Sequence, residues 1–263
     1  MAEDNRREQI RAAAERYVSS CAEYTSPFEH AKIINNWIEK DAQAQVVVED
    51  FKKRVGDPGG TRMLDFGFGN GQFAIAFAQA GARVDGIEVN RTLLELAEEN
   101  AAAQQVSVDL RLYEGEAFPY PDETFDYAYS LSVFEHVTDL RLAVRELCRT
   151  LKPGGAAYVS FPNRFSPRET HTGYWLVNYL PRPAARFVLM YFLHSNAVDE
   201  LNLRFPTYFT LTHALQGLPL RIKPEYDAAT APRRFIKRVL GMFGLHFTVI
   251  LPTIMVILKK DPQ

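Results

Sequence analysis

Residues 63–71 read Met-Leu-Asp-Phe-Gly-Phe-Gly-Asn-Gly, a short apolar strand that ends on three glycines spaced two apart. A turn of this kind swings a strand abruptly into a helix. Its missing Cβ atoms let the backbone approach a ligand, and the free N–H groups at the helix start supply donors. The helix that follows, Gln72 to Ala80, stops at Gly81. The same alternation then repeats. Ala82–Val89 reads as a strand, Arg91–Ala103 as a helix, Val106–Leu112 and Phe125–Ser130 as strands, and Asp139–Leu151 as a helix. A KPGG turn at 152–155 leads into a fifth strand, Ala156–Phe161. Strands alternating with helices predict a mostly parallel sheet covered on both faces, a doubly wound α/β domain.

Around this core the sequence divides into regions. Residues 1–55 form an N-terminal helical region, with Ile10, Ala13, Ala14, Tyr17, Val18 and Cys21 on one helical stripe and a break at Ser26-Pro27. A second helix starts near Phe28, carries Ile33, Ile34, Trp37 and Ile38, and runs to Val55 despite the β-branched run at 46–48. Residues 56–263 are the main domain. Within it, 162–216 is too long and aromatic for a plain connection and reads as a substrate lid with helices at 183–194 and 208–216. The uncharged 19-residue run 240–258 has almost the length of a membrane span, but Pro252 and His246 interrupt it. A terminal β-hairpin of Phe247–Leu251 and Ile254–Leu258 is expected instead.

A chain of 263 residues can bury roughly 70% of its unfolded surface, enough for one large core. The net charge of −2 gives no reason to expect a nucleic-acid partner. It is unevenly spread, with 17 basic and 26 acidic residues in 1–160 but 13 and 6 in 161–263, so the C-terminal part can face an anion. Two distant cysteines make no disulfide framework, and the charged N-terminus lacks a signal-peptide core, so the cytoplasm is the expected compartment. The six histidines show no paired-ligand spacing, and no metal is expected. There is no G-x-S-x-G nucleophile elbow.

The nicotinamide fingerprint needs a glycine where Gln72 stands, and no Lys-Ser/Thr pair marks a phosphate loop. Glu88, at the end of the second strand, is placed to accept both hydroxyls of a ribose. Together these motifs resemble the class I methyltransferases that use S-adenosylmethionine, in particular their small-molecule, type 11-like branch. The match covers about 62–161. It includes Asp65 to Gly71, Glu88, Glu114-Gly115-Glu116-Ala117, Ser130 to Val137, and Leu147 with Lys152 to Gly155. The resemblance implies a seven-stranded sheet and S-adenosylmethionine as methyl donor, leaving S-adenosylhomocysteine. It also implies donor contacts from Asp65, Gly67, Gly69, Gly71, Glu88 with neighbouring Val89, Glu116 and Ala117 at the adenine, and Ser130. Phe66 and Phe68 are expected to pack between the sheet and an N-terminal helix, not to stack on adenine.

The acceptor belongs beyond the C-terminal ends of the strands, under the lid. His136 and His171 are the candidate bases for a hydroxyl proton. Arg164 and Arg168, with Tyr174 and Trp175, are candidate substrate contacts. The segment FPNRFSPRETHTGYW at 161–175 resembles a subgroup tied to bacterial polysaccharide, lipid or secondary metabolism. The expected reaction is methyl transfer to an oxygen, with nitrogen or carbon less favoured, of a small metabolite, glycan or lipid-like acceptor. The apolar run 185–194 and the basic RRFIKR at 233–238 suit peripheral contact with the inner face of a membrane. The alternatives are an NAD-dependent oxidoreductase and a noncatalytic methyltransferase-like binding or scaffold protein.

Overall fold

The computed structural model describes residues 2–20, 27–224 and 231–262. Cys21 and Ser26, and the side chains of Arg233 and Arg234, lie outside what is described. Seven strands are found among the described residues. The chain divides into two compact units, Met1–Glu114 and Gly115–Gln263.

The first unit holds α1 (Ala2–Ser20), α2 (Pro27–Arg54), β1 (Arg62–Phe66), α3 (Gln72–Gln79), β2 (Arg83–Glu88), α4 (Arg91–Ala103) and β3 (Asp109–Leu112). On α1 the expected stripe buries Ile10, Ala14 and Val18. In α2 the helical period overrides β-branching: Val48 and Phe51 are buried while Val46 is exposed. Tyr17 stacks on Trp37 at 5.3 Å and Phe51 meets Phe77 of α3 edge-on at 5.1 Å. Strands β1, β2 and β3 pair in parallel, as the alternation predicted. Arg62 forms a fork on the fully buried carboxylate of Asp85, with bonds of 2.9 and 2.8 Å, so that a charge inside the sheet is matched across neighbouring strands.

The second unit holds β4 (Phe125–Leu131), α5 (Leu140–Thr150), β5 (Leu151–Pro162), α6 (Arg182–Phe192), α7 (Ala197–Glu200), α8 (Tyr208–Ala214), β6 (Leu220–Pro224), α9 (Ala231–Met242) and β7 (Thr253–Lys260). Asp139 caps α5 by accepting from Leu142 N at 2.9 Å. β5 starts before the KPGG turn rather than after it. Phe125 pairs with Leu151 and Tyr127 with Ala156, so residues 152–155 bulge out of one continuous strand. The 162–216 segment builds a small core of its own from Val177, Ala185, Leu189, Val198, Leu203 and Phe205.

The C-terminal hairpin is corrected in one strand. β7 lies between β5 and β6 and is antiparallel to both, but its expected partner 247–251 is not a strand: Phe247–Ile250 is a 3-10 turn. The cause is a side chain. Asn163, at the end of β5, donates from Nδ2 to the carbonyls of both Val249 and Leu251 at 2.8 Å, which occupies acceptors that a strand would offer to a ladder. The true partner, β6, alternates Arg221 and Lys223 with half-buried residues, a charged edge strand too short to stand out in the sequence. No helix among the described residues is long and apolar enough to cross a membrane.

Candidate functional site

In the first unit the glycine turn joins β1 to α3. Gly67, Gly69 and Gly71 all have positive φ, at 78°, 56° and 79°. Two of them serve different ends. A Cβ on Gly71 would stand 2.9 Å from Ala97 Cβ of α4, so this glycine lets two helices close up, whereas a Cβ on Gly69 would meet nothing within 4 Å. The turn is fastened from both sides: Gln72 donates to Trp37 O at 2.7 Å and Asn100 to Asn70 O at 3.2 Å. Gln72, which breaks the nicotinamide fingerprint, is therefore a tie to α2. Phe66 meets Tyr113 edge-on at 6.2 Å, and Phe68 covers Gly86, where a Cβ would stand 2.7 Å from its ring. Both rings pack on the strands of this unit.

The turn encloses acid. Glu88 accepts from Gly69 N at 3.1 Å with one oxygen and from Val89 N and Asn90 N at 2.8 and 3.1 Å with the other. The remaining two glycine amides are also engaged, Gly67 N with Ile87 O and Gly71 N with Phe68 O. Burial pushes the Glu88 carboxyl up, opposed by those three amides. Asp65, on β1, is 3% exposed, and its Oδ2 has no hydrogen-bond partner. Burial first, then the nearby charge of Glu88, raise its pKa to about 7 against a weaker opposing bond from Ala74 N–H. The structure thus offers a buried, acidic turn whose three glycine amides are already engaged.

The second unit places the other expected residues. Ser130 is buried on β4 with an unpartnered Oγ, while Glu116 and Ala117 are exposed in the loop that precedes it. His136, after β4, and His171, from the 162–216 segment, meet edge to face with ring centroids 4.9 Å apart. His136 Nδ1 bonds the carbonyl of Leu201, and His171 Nδ1 bonds Glu169 Oε1 at 2.9 Å. Both acceptors require a proton on Nδ1, so in the neutral ring Nε2 is the lone-pair nitrogen. Those nitrogens lie 3.8 and 3.7 Å from the same oxygen, Oε1 of the buried Glu135. Burial pushes the Glu169 carboxyl up, but the bond and charge of His171 and the amides of His171 and Thr172 outweigh it and hold the pKa at about 2.

Of the candidate substrate contacts, Arg164 is committed to Leu180 O at 2.8 Å and Arg168 to Gly173 O at 2.8 Å. Tyr174 packs on the small core of 162–216 and reaches Leu193 O at 3.4 Å, and Trp175 is 67% exposed. Arg164, His171 and Glu135 line one small cavity, which Arg168, Tyr174 and Trp175 do not.

Residues 64–159 match the family model described as a methyltransferase domain. Over those residues the chain is similar to a methyltransferase domain. The ubiquinone biosynthesis O-methyltransferase of Chelativorans sp. (strain BNC1) is 37% identical to it over 105 residues, 40% of this chain and 42% of that protein. The chain therefore spans less than half the length of the curated relatives it matches. An S-adenosylmethionine dependent methyltransferase from Mesorhizobium loti shares the fold at a TM-score of 0.56 and 18% identity, covering 81% of this chain and 96% of that one. The [4+2]-cyclase SpnF shares it at 0.55 and 20%, covering 83% of this chain and 81% of that one. Sequence reasoning passed over Glu135 and Asn163. Glu135 stands beside His136 in the quoted motif, and its adjacency to a histidine was the signal.

Proposed function

We propose that the chain binds S-adenosylmethionine at the glycine turn and transfers its methyl group to an oxygen of a small metabolite, glycan or lipid-like acceptor. The observation that carries this reading is the charge and amide state of the turn. All three glycine amides are engaged, and two buried carboxyls stand beside them. A pyrophosphate needs free amides and a positive field, so the turn disfavours a dinucleotide. A ligand with an ammonium and a sulfonium suits it. The open space at Gly69 and the orphaned Oδ2 of Asp65 fit such a group. When bound, S-adenosylmethionine supplies a methyl group on a cationic sulfur, a good leaving group.

The rest of the reaction falls to the protein's side chains. Glu88 has lone pairs left for ribose hydroxyls, with Val89 beside it. Glu116, Ala117 and Ser130 are assigned to the donor on their motif match. His171 is the base: its Nδ1–H is held by Glu169, so Nε2 takes the acceptor proton as the new O–CH3 bond forms and the S–CH3 pair stays on sulfur. His136, held by Leu201 O, is its neighbour in the same role. The name of the Chelativorans relative supports oxygen as the methylated atom. The aromatic face of α6, with exposed Phe187, Tyr191 and Phe192, supports an acceptor or surface with a hydrocarbon part.

Titration calorimetry with S-adenosylhomocysteine and with NAD, run in parallel, tests the donor site. Micromolar heat from the first alone is expected; heat from NAD alone, or from neither with folded protein, refutes the reading. With phenolic, polyol and lipid-hydroxyl acceptors, His171→Ala is expected to lose turnover while keeping donor affinity.

A further inference from the structure

We infer that Glu135, His136 and His171 form a binding site for one divalent first-row transition cation of the zinc type. Their ligand atoms, one from each residue, all lie within 4.8 Å of one another. The two imidazoles come from segments 35 residues apart, which is why no spacing in the sequence announced the site. A carboxylate and two imidazoles are the donor set of hydrolytic zinc centres that leave a fourth position for water or substrate.

The second layer of contacts has the form such a site needs. Both Nδ1 atoms donate outward, to the Leu201 carbonyl and the Glu169 carboxylate, which fixes the tautomer and aims each Nε2 inward. The His–Glu135 distances of 3.8 and 3.7 Å are too long for direct hydrogen bonds. They are close to what a shared ion needs, since bonds of about 2.0–2.2 Å at tetrahedral angles hold donor atoms about 3.3–3.6 Å apart. The whole set is bounded by 4.8 Å, so shifts of up to about an ångström, by rotation of the imidazoles, would close the site.

An independent feature points to a ligand at the same place. Glu135 and His171 line a cavity of about 10 Å³, room for about one water molecule. Asn178 lines it too, is 3% exposed, and has an Oδ1 with no hydrogen-bond partner. A water or hydroxyl on the cation's open position would give that oxygen a donor. The loop is also braced: Asn202 donates to His136 O at 2.6 Å and Arg204 N to Glu135 O at 2.9 Å. The cation would polarise an acceptor hydroxyl and lower its pKa, so that the proton leaves to solvent and the oxygen enters methyl transfer as an anion; with the ion bound, His171 Nε2 is a ligand and this ionisation replaces its role as the base.

The metal site rests on side-chain placement and not on the methyl-donor reading, and it can be tested without any donor. The chelator-treated chain is titrated with Zn2+ by calorimetry and with Co2+ by visible absorption. One equivalent is expected to bind at micromolar affinity or better, with d–d bands of four- or five-coordinate Co2+ and a rise in Tm. Glu135→Gln, which keeps the shape and removes the charge, and His171→Ala are each expected to weaken binding at least tenfold. His213→Ala, an exposed histidine outside the cluster, is expected to bind as the wild type. No uptake by the folded wild type overturns the site, as does uptake that Glu135→Gln and His171→Ala leave unchanged.

Discussion

Asp65→Asn is expected to make the ligand-free protein more stable and a worse binder of the methyl donor. Asp65 holds its proton up to about pH 7 in the folded chain, against an ordinary value of 3.8. The native state is therefore protonated where the unfolded chain has already ionised. Stability falls as pH rises from about 4 to about 7, and the full difference is about 4 kcal/mol. Asparagine has the same shape and no charge to bury. Between pH 5 and pH 8 the wild type should lose about 3 kcal/mol relative to the variant, or roughly 6–12 °C in Tm for a chain of this size. Urea and thermal denaturation of both proteins at four pH values read this, and taking the difference cancels the other titrating groups. A cationic ligand beside Asp65 favours the ionised form, so wild-type affinity for S-adenosylmethionine should rise with pH through about 7, with proton release, and the variant should lose that rise. A stability difference that is flat with pH would show that Asp65 is not titrating as a buried acid. A flat affinity profile would remove it from the donor site.

The two turn glycines should separate packing from binding. Gly71→Ala combines left-handed strain with a clash against Ala97 and should cost about 2–5 kcal/mol, while Gly69→Ala carries only the strain of about 1–2 kcal/mol but obstructs the ligand space. Equal Tm losses with unchanged donor binding would contradict that division. Arg62→Ala strands the buried Asp85 charge and should cost about 3–5 kcal/mol in urea denaturation, most of it recovered when Asp85→Asn is added. Recovery of less than half would mean that the arginine acts by packing. Asn163→Ala removes the donor to Val249 O and Leu251 O, costs about 1–3 kcal/mol, and should raise amide exchange across 247–251; unaltered exchange there would refute its anchoring role.

What the sequence determined by itself was local and repetitive. The strand–helix alternation, the glycine turn at 67–71 and the amphipathic stripe of α1 are patterns of neighbours, and the structure forms each of them. Even the run at 46–48 obeyed its helical surroundings rather than its own β-branching. Tertiary structure decided whatever depends on partners far away in the chain. Asn163 turned an apolar strand pattern at 247–251 into a 3-10 turn, because a side chain 86 residues away took its carbonyl. The charged segment Leu220–Pro224 became the edge strand beside β7 in its stead. The same holds for chemistry. His136 and His171 were separate candidates in the sequence, and folding the 162–216 segment back onto the loop after β4 brought their Nε2 atoms to one buried carboxylate. Periodicity encodes which face of an element is apolar; it carries no information about which distant polar atoms converge, because that is set by how loops close and which buried groups must find partners.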